Sequence, residues 1–233
     1  MNKYSPIQQE AYEANRQLPA LGLVIFTFGN VSAADRNLGV FAIKPSGVPY
    51  EQLTPEKMVI IDFEGKTVSG SLRPSSDTLT HAVLYKHWTS INGIAHTHST
   101  YATAWAQSQR DIPIFGATHA DHTTANIPCA APMNDDMIRG NYEHETGFQI
   151  MQCLKERNLD YKETEMMLVG NHAPFTWGKT AAKAVYNSGA LEAIAKMAYL
   201  TDQINKDAPL LKASIIKKHF ERKHGPDSYY GQQ

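Results

Sequence analysis

The chain has 233 residues, of which 42% are hydrophobic and 19% charged, so it can bury one substantial core. A formal net charge of −1 excludes the general basic field that nucleic-acid binding needs, and any anion must therefore be held by local groups. Cys129 and Cys153 stand alone and no apolar run is long enough for a signal peptide or a bilayer span, so we expect a cytoplasmic protein without disulfides or a thiolate zinc site.

The first third of the chain predicts one helix followed by strands. Ser5 and Pro6 begin a helix with apolar spacing, and residues 19–22 end it. The β-rich runs that follow predict strands at residues 23–28, 40–43, 58–62 and 66–69. The last two of these runs are separated by Glu64 and Gly65, which predicts a hairpin turn.

Helices and strands alternate in the rest of the chain. Helical patterns cover residues 77–87, 99–107, 145–157, 180–204 and 209–222. Extended segments are predicted around His96 and at residues 112–116, 166–169 and 174–177. Because no repeat or linker interrupts this order, the sequence predicts a single α/β domain over residues 1–233, with a mixed sheet covered by helices.

The most informative local pattern is a pair of alternating histidines. His96 and His98 place two imidazoles on one face of a short strand, near the end of that strand. Asp77, in a turn, and His172, in a tight turn after a buried run, could complete a shell of three imidazoles and one carboxylate, which would act as a Lewis acid. Two alternatives stay open here: Asp77 as a simple helix N-cap, and His81 as a rival ligand one helical turn later.

A second set of residues lies in small-residue turns that follow or interrupt strands. These residues are Gly29, Asn30, Lys44, Ser46, Gly47, Ser75 and Ser76. Backbone N–H groups, hydroxyls and one ammonium that converge from such turns can hold a phosphate. Each turn alone is an ordinary loop, so only their proximity in the fold would make a phosphate cradle.

Acid and base candidates form a third set. Asp121 lies in a Thr-His-Ala-Asp-His segment, and Tyr230 lies in the C-terminal tail after a basic cluster that includes Arg222. A tyrosine hydroxyl has a pKa near 10, so it donates a proton usefully when a cation lies close. Otherwise Tyr230 would anchor the tail, and Arg222 would belong to a solvated face or meet an anion from a neighbouring subunit.

Six segments together give the chain a resemblance to a known family. The segments are residues 28–32 (FGNVS), 44–48 (KPSGV), 74–78 (PSSDT), 96–99 (HTHS), 118–121 (THAD) and 223–231 (KHGPDSYYG). Taken together they resemble the L-ribulose-5-phosphate 4-epimerases of the class II aldolase and epimerase superfamily, nearly end to end. The resemblance implies a single-domain layered α/β fold with a mixed, mainly antiparallel central sheet.

The resemblance also implies roles for particular residues. Asp77, His96, His98 and His172 would be the metal ligands, usually of Zn²⁺, although Mn²⁺ or Co²⁺ also suits such ligands. Asp121 and Tyr230 would be the two acid/base residues. The substrate and phosphate contacts would be Gly29, Asn30, Ser46, Gly47, Ser75 and Ser76, with Lys44 adjacent and Arg222 from a neighbour. The family implies a homotetramer with active sites at subunit interfaces.

The implied reaction interconverts L-ribulose 5-phosphate and D-xylulose 5-phosphate. The bond between carbons 3 and 4 breaks, the glycolaldehyde phosphate fragment rotates, and the bond forms again on its other face. Fuculose- and rhamnulose-type aldolases carry a glutamate near the position of Asp77, so the aspartate favours an epimerase. An aldolase or dehydratase acting on a related phosphate is the alternative within the fold. The intact metal-binding residues argue against a structural domain like the adducin head. The many helices argue against a cupin fold.

Overall fold

The structure is a computed structural model that describes residues 2–226 and 228–229. The strands are β1 (Asn30–Asp35), β2 (Val40–Ile43), β3 (Val59–Asp62), β4 (Thr67–Ser69), β5 (Gly93–His96), β6 (Cys129–Ala130), β7 (Met166–Val169) and β8 (Pro174–Gly178). The helices are α1 (Ser5–Ala20), α2 (Thr78–His87), α3 (Thr100–Gln107), α4 (Ala117–Ala120), α5 (Asp135–Arg139), α6 (Tyr142–Glu156), α7 (Ala181–Ile204) and α8 (Ala213–His224).

The strands form an 8-stranded sheet in the order β4-β3-β2-β1-β5-β8-β7-β6. Neighbouring strands are antiparallel except β6 and β7, which are parallel. The predicted layered α/β fold with a mixed, mainly antiparallel sheet is therefore confirmed. The order brings β1, β5 and β8 together in the middle of the sheet, and the histidine pair lies at the end of the central one of these three.

Helices cover both faces of the sheet. Along β2, Phe41 packs in a core with α2 and α6, whereas Ala42 packs in a second core with α1 and α7. This alternation follows from the period of two in a strand and explains why β2 is apolar at every position. A third core contains Trp105 of α3 and Ile194 of α7. Each face of the sheet is therefore buried, and chemistry is left to its strand ends and loops.

The prediction of a strand at residues 23–28 is wrong. This segment is a loop in which Phe26 has a φ of +54° and is 81% exposed, and the first strand begins at Asn30 instead. Asn15 of α1, fully buried, accepts a hydrogen bond from Val31 N–H at 2.9 Å and donates to the Val31 carbonyl at 2.8 Å. The side chain of Asn15 thus makes the hydrogen bonds of the backbone at the start of β1. No local pattern in residues 23–28 could indicate this contact.

Other elements differ from the prediction in extent. Helix α8 begins at Ala213 rather than at residue 209. Residues 112–116 are extended but lie outside the eight strands; Ile112 forms an antiparallel bridge with Ile127, and the carbonyl of Ile114 accepts from Leu211 N–H at 2.9 Å. The short elements α5 and β6 carry too few residues to produce a periodic signal. Among the described residues, no helix combines the length and apolar character needed to cross a membrane.

Candidate metal centre and anion cavity

Three imidazoles meet where β5 ends. His96 is the last residue of β5, and its partners across the sheet are Asn30 on β1 and Phe175 on β8. His98 lies just beyond the strand, and its Nε2 is 3.1 Å from Nε2 of His96. His172, in the turn between β7 and β8, completes a group whose ligand nitrogens all lie within 4.8 Å of one another. This spacing suits one divalent ion held by imidazole nitrogens.

The hydrogen bonds and burial of these imidazoles fit them for metal binding. His96 Nδ1 donates to the carbonyl of Pro174 at 3.0 Å, which leaves the lone pair of Nε2 directed toward the other two rings. Burial lowers the pKa of His96 and His98, and it lowers the pKa of His172 to about 4. Nδ1 of His172 is buried and has no hydrogen-bond partner among the described residues. All three rings are therefore neutral near pH 7, which is the form of imidazole that can bind a metal ion.

Asp77 lies beside this group but outside it. It stands at the N-cap position of α2, yet its side chain makes no capping hydrogen bond and instead accepts one from Asn30 Nδ2 at 2.6 Å. Burial raises the pKa of Asp77, but the nearby rings of His96, His81 and His172 and the bond from Asn30 outweigh burial and lower it. The carboxylate is therefore ionised at neutral pH, and its negative charge lies near the imidazoles.

One cavity of about 370 Å³ contains both sets of predicted residues. Its lining includes the predicted turn residues Gly29, Asn30, Lys44, Ser46, Gly47, Ser75 and Ser76 and the predicted ligands Asp77, His96, His98 and His172. Thr27, Phe28 and Pro45 also line it. The sequence predicts no site role for Phe28, because its pattern indicates a strand over residues 23–28. In the structure its exposed ring lies beside His98, with ring centroids 6.3 Å apart.

Glycine at position 29 is required by the way the loop approaches β5. Gly29 has a φ of +76°, and a Cβ atom there would lie 2.9 Å from the carbonyl oxygen of His96 and 2.8 Å from Val24. Gly47, which also lines the cavity, has a positive φ as well, of +69°. At both positions the backbone N–H groups are accessible without side-chain bulk, as the turns that bind phosphate groups require.

Lys44 supplies the one ammonium among the residues that line this cavity. Its side chain is only 2% exposed, and Nζ donates to the carbonyl of Thr27 at 3.1 Å and lies 4.9 Å from the centre of the Tyr50 ring. Burial lowers the pKa of Lys44 to about 8. Among the described residues, the hydrogen bonds of this cation go to carbonyl oxygens and none goes to a carboxylate, so its charge is available to an anion.

Asp121 and Arg222 lie elsewhere in the described chain. Asp121 follows α4, and its carboxylate accepts hydrogen bonds from Arg222 of α8 at 2.7–3.0 Å, with His219 Nδ1 at 3.0 Å. Burial raises the pKa of Asp121, but the bonds to Arg222 and His219 outweigh burial and lower it. Neither Asp121 nor Arg222 lines the cavity of its own chain. Tyr230 lies outside the described residues.

The fold and the cavity define an α/β protein with a candidate three-histidine metal centre beside a candidate anion site. Residues 9–199 match the family described as Class II Aldolase and Adducin N-terminal domain. The chain therefore belongs to this family. The matched residues include the whole sheet, the three cores apart from Ile7, and every described residue that lines the cavity.

Several solved structures share the fold of this chain. An L-fuculose 1-phosphate aldolase is similar with a TM-score of 0.77 and 22% identity, covering 93% of this chain and 95% of that one. An aldolase II superfamily protein from Pseudomonas syringae has a TM-score of 0.76 and 15% identity, covering 98% and 89%. An L-fuculose 1-phosphate aldolase from Glaciozyma antarctica PI12 has a TM-score of 0.75 and 18% identity, covering 94% and 82%. At these identities the likeness is one of fold.

Proposed function

We propose that the chain is a metal-dependent sugar-phosphate 4-epimerase that interconverts L-ribulose 5-phosphate and D-xylulose 5-phosphate. The observation that supports this proposal is the shared cavity, in which three imidazoles and one carboxylate lie beside turns suited to a phosphate. A sugar phosphate presents both an oxygen pair for a metal ion and an anionic end for the turns. Membership of the class II aldolase family supports the same substrate class.

His96, His98 and His172 would hold the ion, with Asp77 as the fourth ligand. Neutral rings with converging nitrogens and an adjacent ionised carboxylate are the donor set that Zn²⁺ prefers, and Mn²⁺ or Co²⁺ is also compatible. When bound, the ion supplies Lewis-acid stabilisation of the negative charge that cleavage of a carbon–carbon bond leaves behind. The four side chains contribute orientation, and the burial of the imidazoles keeps them unprotonated at neutral pH.

The turn residues would retain the phosphate fragment while its aldehyde end rotates. Lys44 contributes charge, Gly29 and Gly47 allow close approach of the backbone, and Ser46 and Ser75 contribute hydroxyls. Retention matters because inversion at carbon 4 requires the two fragments to recombine before either leaves. An enzyme of this design releases fragments rarely.

Asp121 and Tyr230 would move protons at the carbon 4 oxygen on opposite faces of the substrate. Since Asp121 and Arg222 do not line the cavity of their own chain, we propose that a neighbouring copy supplies them in a homotetramer with sites at its interfaces. Phe28, which lines the cavity, is 51% exposed, and Phe26, whose ring lies edge-on to that of Phe28 with centroids 6.1 Å apart, is 81% exposed. These exposed apolar side chains support burial against another copy. Free, buried Cys129 and Cys153 are compatible with a cytoplasmic location.

The experiment mixes purified chain with L-ribulose 5-phosphate, with and without a chelator, and follows the products. We expect D-xylulose 5-phosphate, with the conversion lost after the chelator is added and restored by a divalent metal. The similarity to L-fuculose 1-phosphate aldolases favours a second candidate, an aldolase on a related sugar phosphate. Net release of glycolaldehyde phosphate and dihydroxyacetone would support the aldolase and contradict the epimerase.

A further inference from the structure

Tyr50 is a buried tyrosine whose hydroxyl contacts the backbone of the loop before β1. It is 4% exposed and belongs to the core that packs against α1 and α7. Its hydroxyl lies 2.8 Å from the carbonyl oxygen of Phe28 and 2.9 Å from that of Gly29. Because a carbonyl oxygen only accepts hydrogen bonds, the hydroxyl is the donor to both. One side chain therefore fixes the carbonyls of two consecutive residues.

The position of the Phe28 carbonyl determines the direction of the Gly29 N–H group, since both belong to one peptide group. No described peptide bond is cis, and the C=O and N–H of a trans peptide point in opposite directions. The carbonyl of Phe28 points to the Tyr50 hydroxyl, so the N–H of Gly29 points away from it. Gly29 lines the cavity, whereas Tyr50 does not. The N–H group is thus directed to the side of the loop opposite the core.

The N–H group of Gly29 is an available hydrogen-bond donor. None of the described residues accepts a hydrogen bond from it, and Gly29 is partly exposed. The next residue, Asn30, already pairs with His96 of β5, so Gly29 is the last residue of the loop before sheet pairing begins. An accessible backbone N–H beside a cation is the kind of donor that holds a phosphate or sulfate oxygen.

Tyr50 also contacts the ammonium of the cavity. Nζ of Lys44 lies 4.9 Å from the centre of the Tyr50 ring, where the ring face attracts a cation. The carbonyl of Tyr50 accepts a hydrogen bond from Arg16 Nη1 of α1 at 3.1 Å, which holds the residue from the core side. Burial raises the pKa of Tyr50, so its hydroxyl remains a donor throughout the neutral range. One anchored ring therefore contacts both the loop and the lysine.

We infer that Tyr50 is a positioning residue that orients the peptide group between Phe28 and Gly29, so that the Gly29 N–H donates to an oxyanion in the cavity. This inference rests on the anion site of the proposed function, and the ligand class is a phosphate or sulfate dianion. Without the hydroxyl, the carbonyl of Phe28 loses its donor. Because glycine at a φ of +76° has wide conformational freedom, the peptide group then rotates more easily and presents its oxygen to the anion, which repels it.

Tyr50→Phe removes the hydroxyl and keeps the ring beside Lys44. The measurements are the affinity for sulfate by calorimetry, the affinity for Zn²⁺ by competition with a coloured chelator, and urea unfolding. We expect sulfate to bind about tenfold more weakly, which corresponds to the loss of roughly one hydrogen bond, and Zn²⁺ affinity to stay within about threefold of wild type. Tyr12→Phe, at a partly buried tyrosine packed against the same core, is the matched control and retains wild-type affinity for both ions.

Isotope labelling observes the proposed donor directly, even if Tyr50→Phe fails to fold. The sequence has two Phe–Gly pairs, at residues 28–29 and 115–116, so ¹³C-carbonyl phenylalanine combined with ¹⁵N-glycine selects two amide signals. Gly116 does not line the cavity and is the internal reference, and Gly116→Ala assigns the two signals. We expect sulfate to move the amide proton of Gly29 downfield in wild type and less so in Tyr50→Phe, with the Gly116 signal unchanged.

Unchanged sulfate affinity in a folded Tyr50→Phe, or a Gly29 amide that does not respond to sulfate in wild type, would overturn the inference. Equal losses of sulfate and Zn²⁺ affinity would overturn it in favour of a general structural role. These results leave the proposed epimerisation intact, because conversion of L-ribulose 5-phosphate is measured separately. A wild-type chain that binds no sulfate would instead refute the anion site of the proposed function and the inference with it.

Discussion

The proposed role of Lys44 in anion binding predicts a pH dependence of that binding, whose size follows from the pKa of the lysine. Burial lowers the pKa of this lysine to about 8, so its ammonium is charged below that pH and neutral above it. The protonated fraction falls from about nine-tenths at pH 7 to about one-tenth at pH 9, and the affinity for a dianion that requires the charge falls in proportion. We therefore expect the inhibition constant of sulfate to rise about tenfold between these pH values.

Sulfate is the chosen probe because it remains a dianion over this range, so that only the protein titrates. The assay is competitive inhibition of L-ribulose 5-phosphate conversion, supported by direct binding measured by calorimetry. In Lys44→Met we expect weak sulfate binding that does not change with pH, whereas Lys66→Met, on the exposed β3–β4 hairpin, behaves as wild type. An equally steep pH dependence in Lys44→Met would refute the assignment of the charge to Lys44. Inorganic phosphate is expected to compete for the same cavity.

Three further substitutions probe the fold and the proton transfers. Asn15→Leu leaves the buried N–H and carbonyl groups of Val31 unpaired, each at about 1–3 kcal/mol, so urea unfolding is expected to show a loss of roughly 2–6 kcal/mol; a loss below about 1 kcal/mol would contradict the pairing. Asp121→Asn is expected to lower kcat by about a hundredfold or more while metal content is kept, and full activity would remove its acid/base role. Tyr230→Phe is expected to lower turnover without a change in folding or metal content, as checked by single-turnover kinetics; a fully active variant excludes its role.

The residues of the cavity could be predicted because their signals are local. His96 and His98 alternate at a strand end, and the glycine and serine turns precede or follow strands, so each motif carries its own geometry. The start of β1 could not be predicted in the same way. The start of β1 depends on hydrogen bonds from Asn15, which is distant in sequence. In addition, the apolar residues 23–28 have a higher β propensity than the small residues of β1, so the local pattern favours the wrong segment.

Which side chains meet is also beyond local pattern. The sequence left Asp77 and His81 as alternatives for the same site, and the hydrogen bonds of Asn30 and Ser32 are what distinguish their environments. The pairing of Asp121 with Arg222 joins residues about a hundred positions apart through the packing of α8 on α4, which no spacing within either segment indicates. Tertiary contacts of this kind set the charged neighbours of each side chain, and thereby its pKa. A local motif shows only which chemical groups are present in the segment.

The proposed chemistry depends on the binding of a divalent ion by the histidine group. The affinity for that ion is therefore the most direct measurement. Metal-free chain, prepared with a chelator, is titrated with Zn²⁺ and compared with His98→Asn and with His87→Gln, a control on the exposed side of α2. We expect one ion per chain in wild type and in the control, an affinity lower by about ten- to a hundred-fold or more in His98→Asn, and epimerisation that returns only with the ion. Equal affinities in wild type and His98→Asn, or full turnover by the metal-free chain, would contradict the proposal.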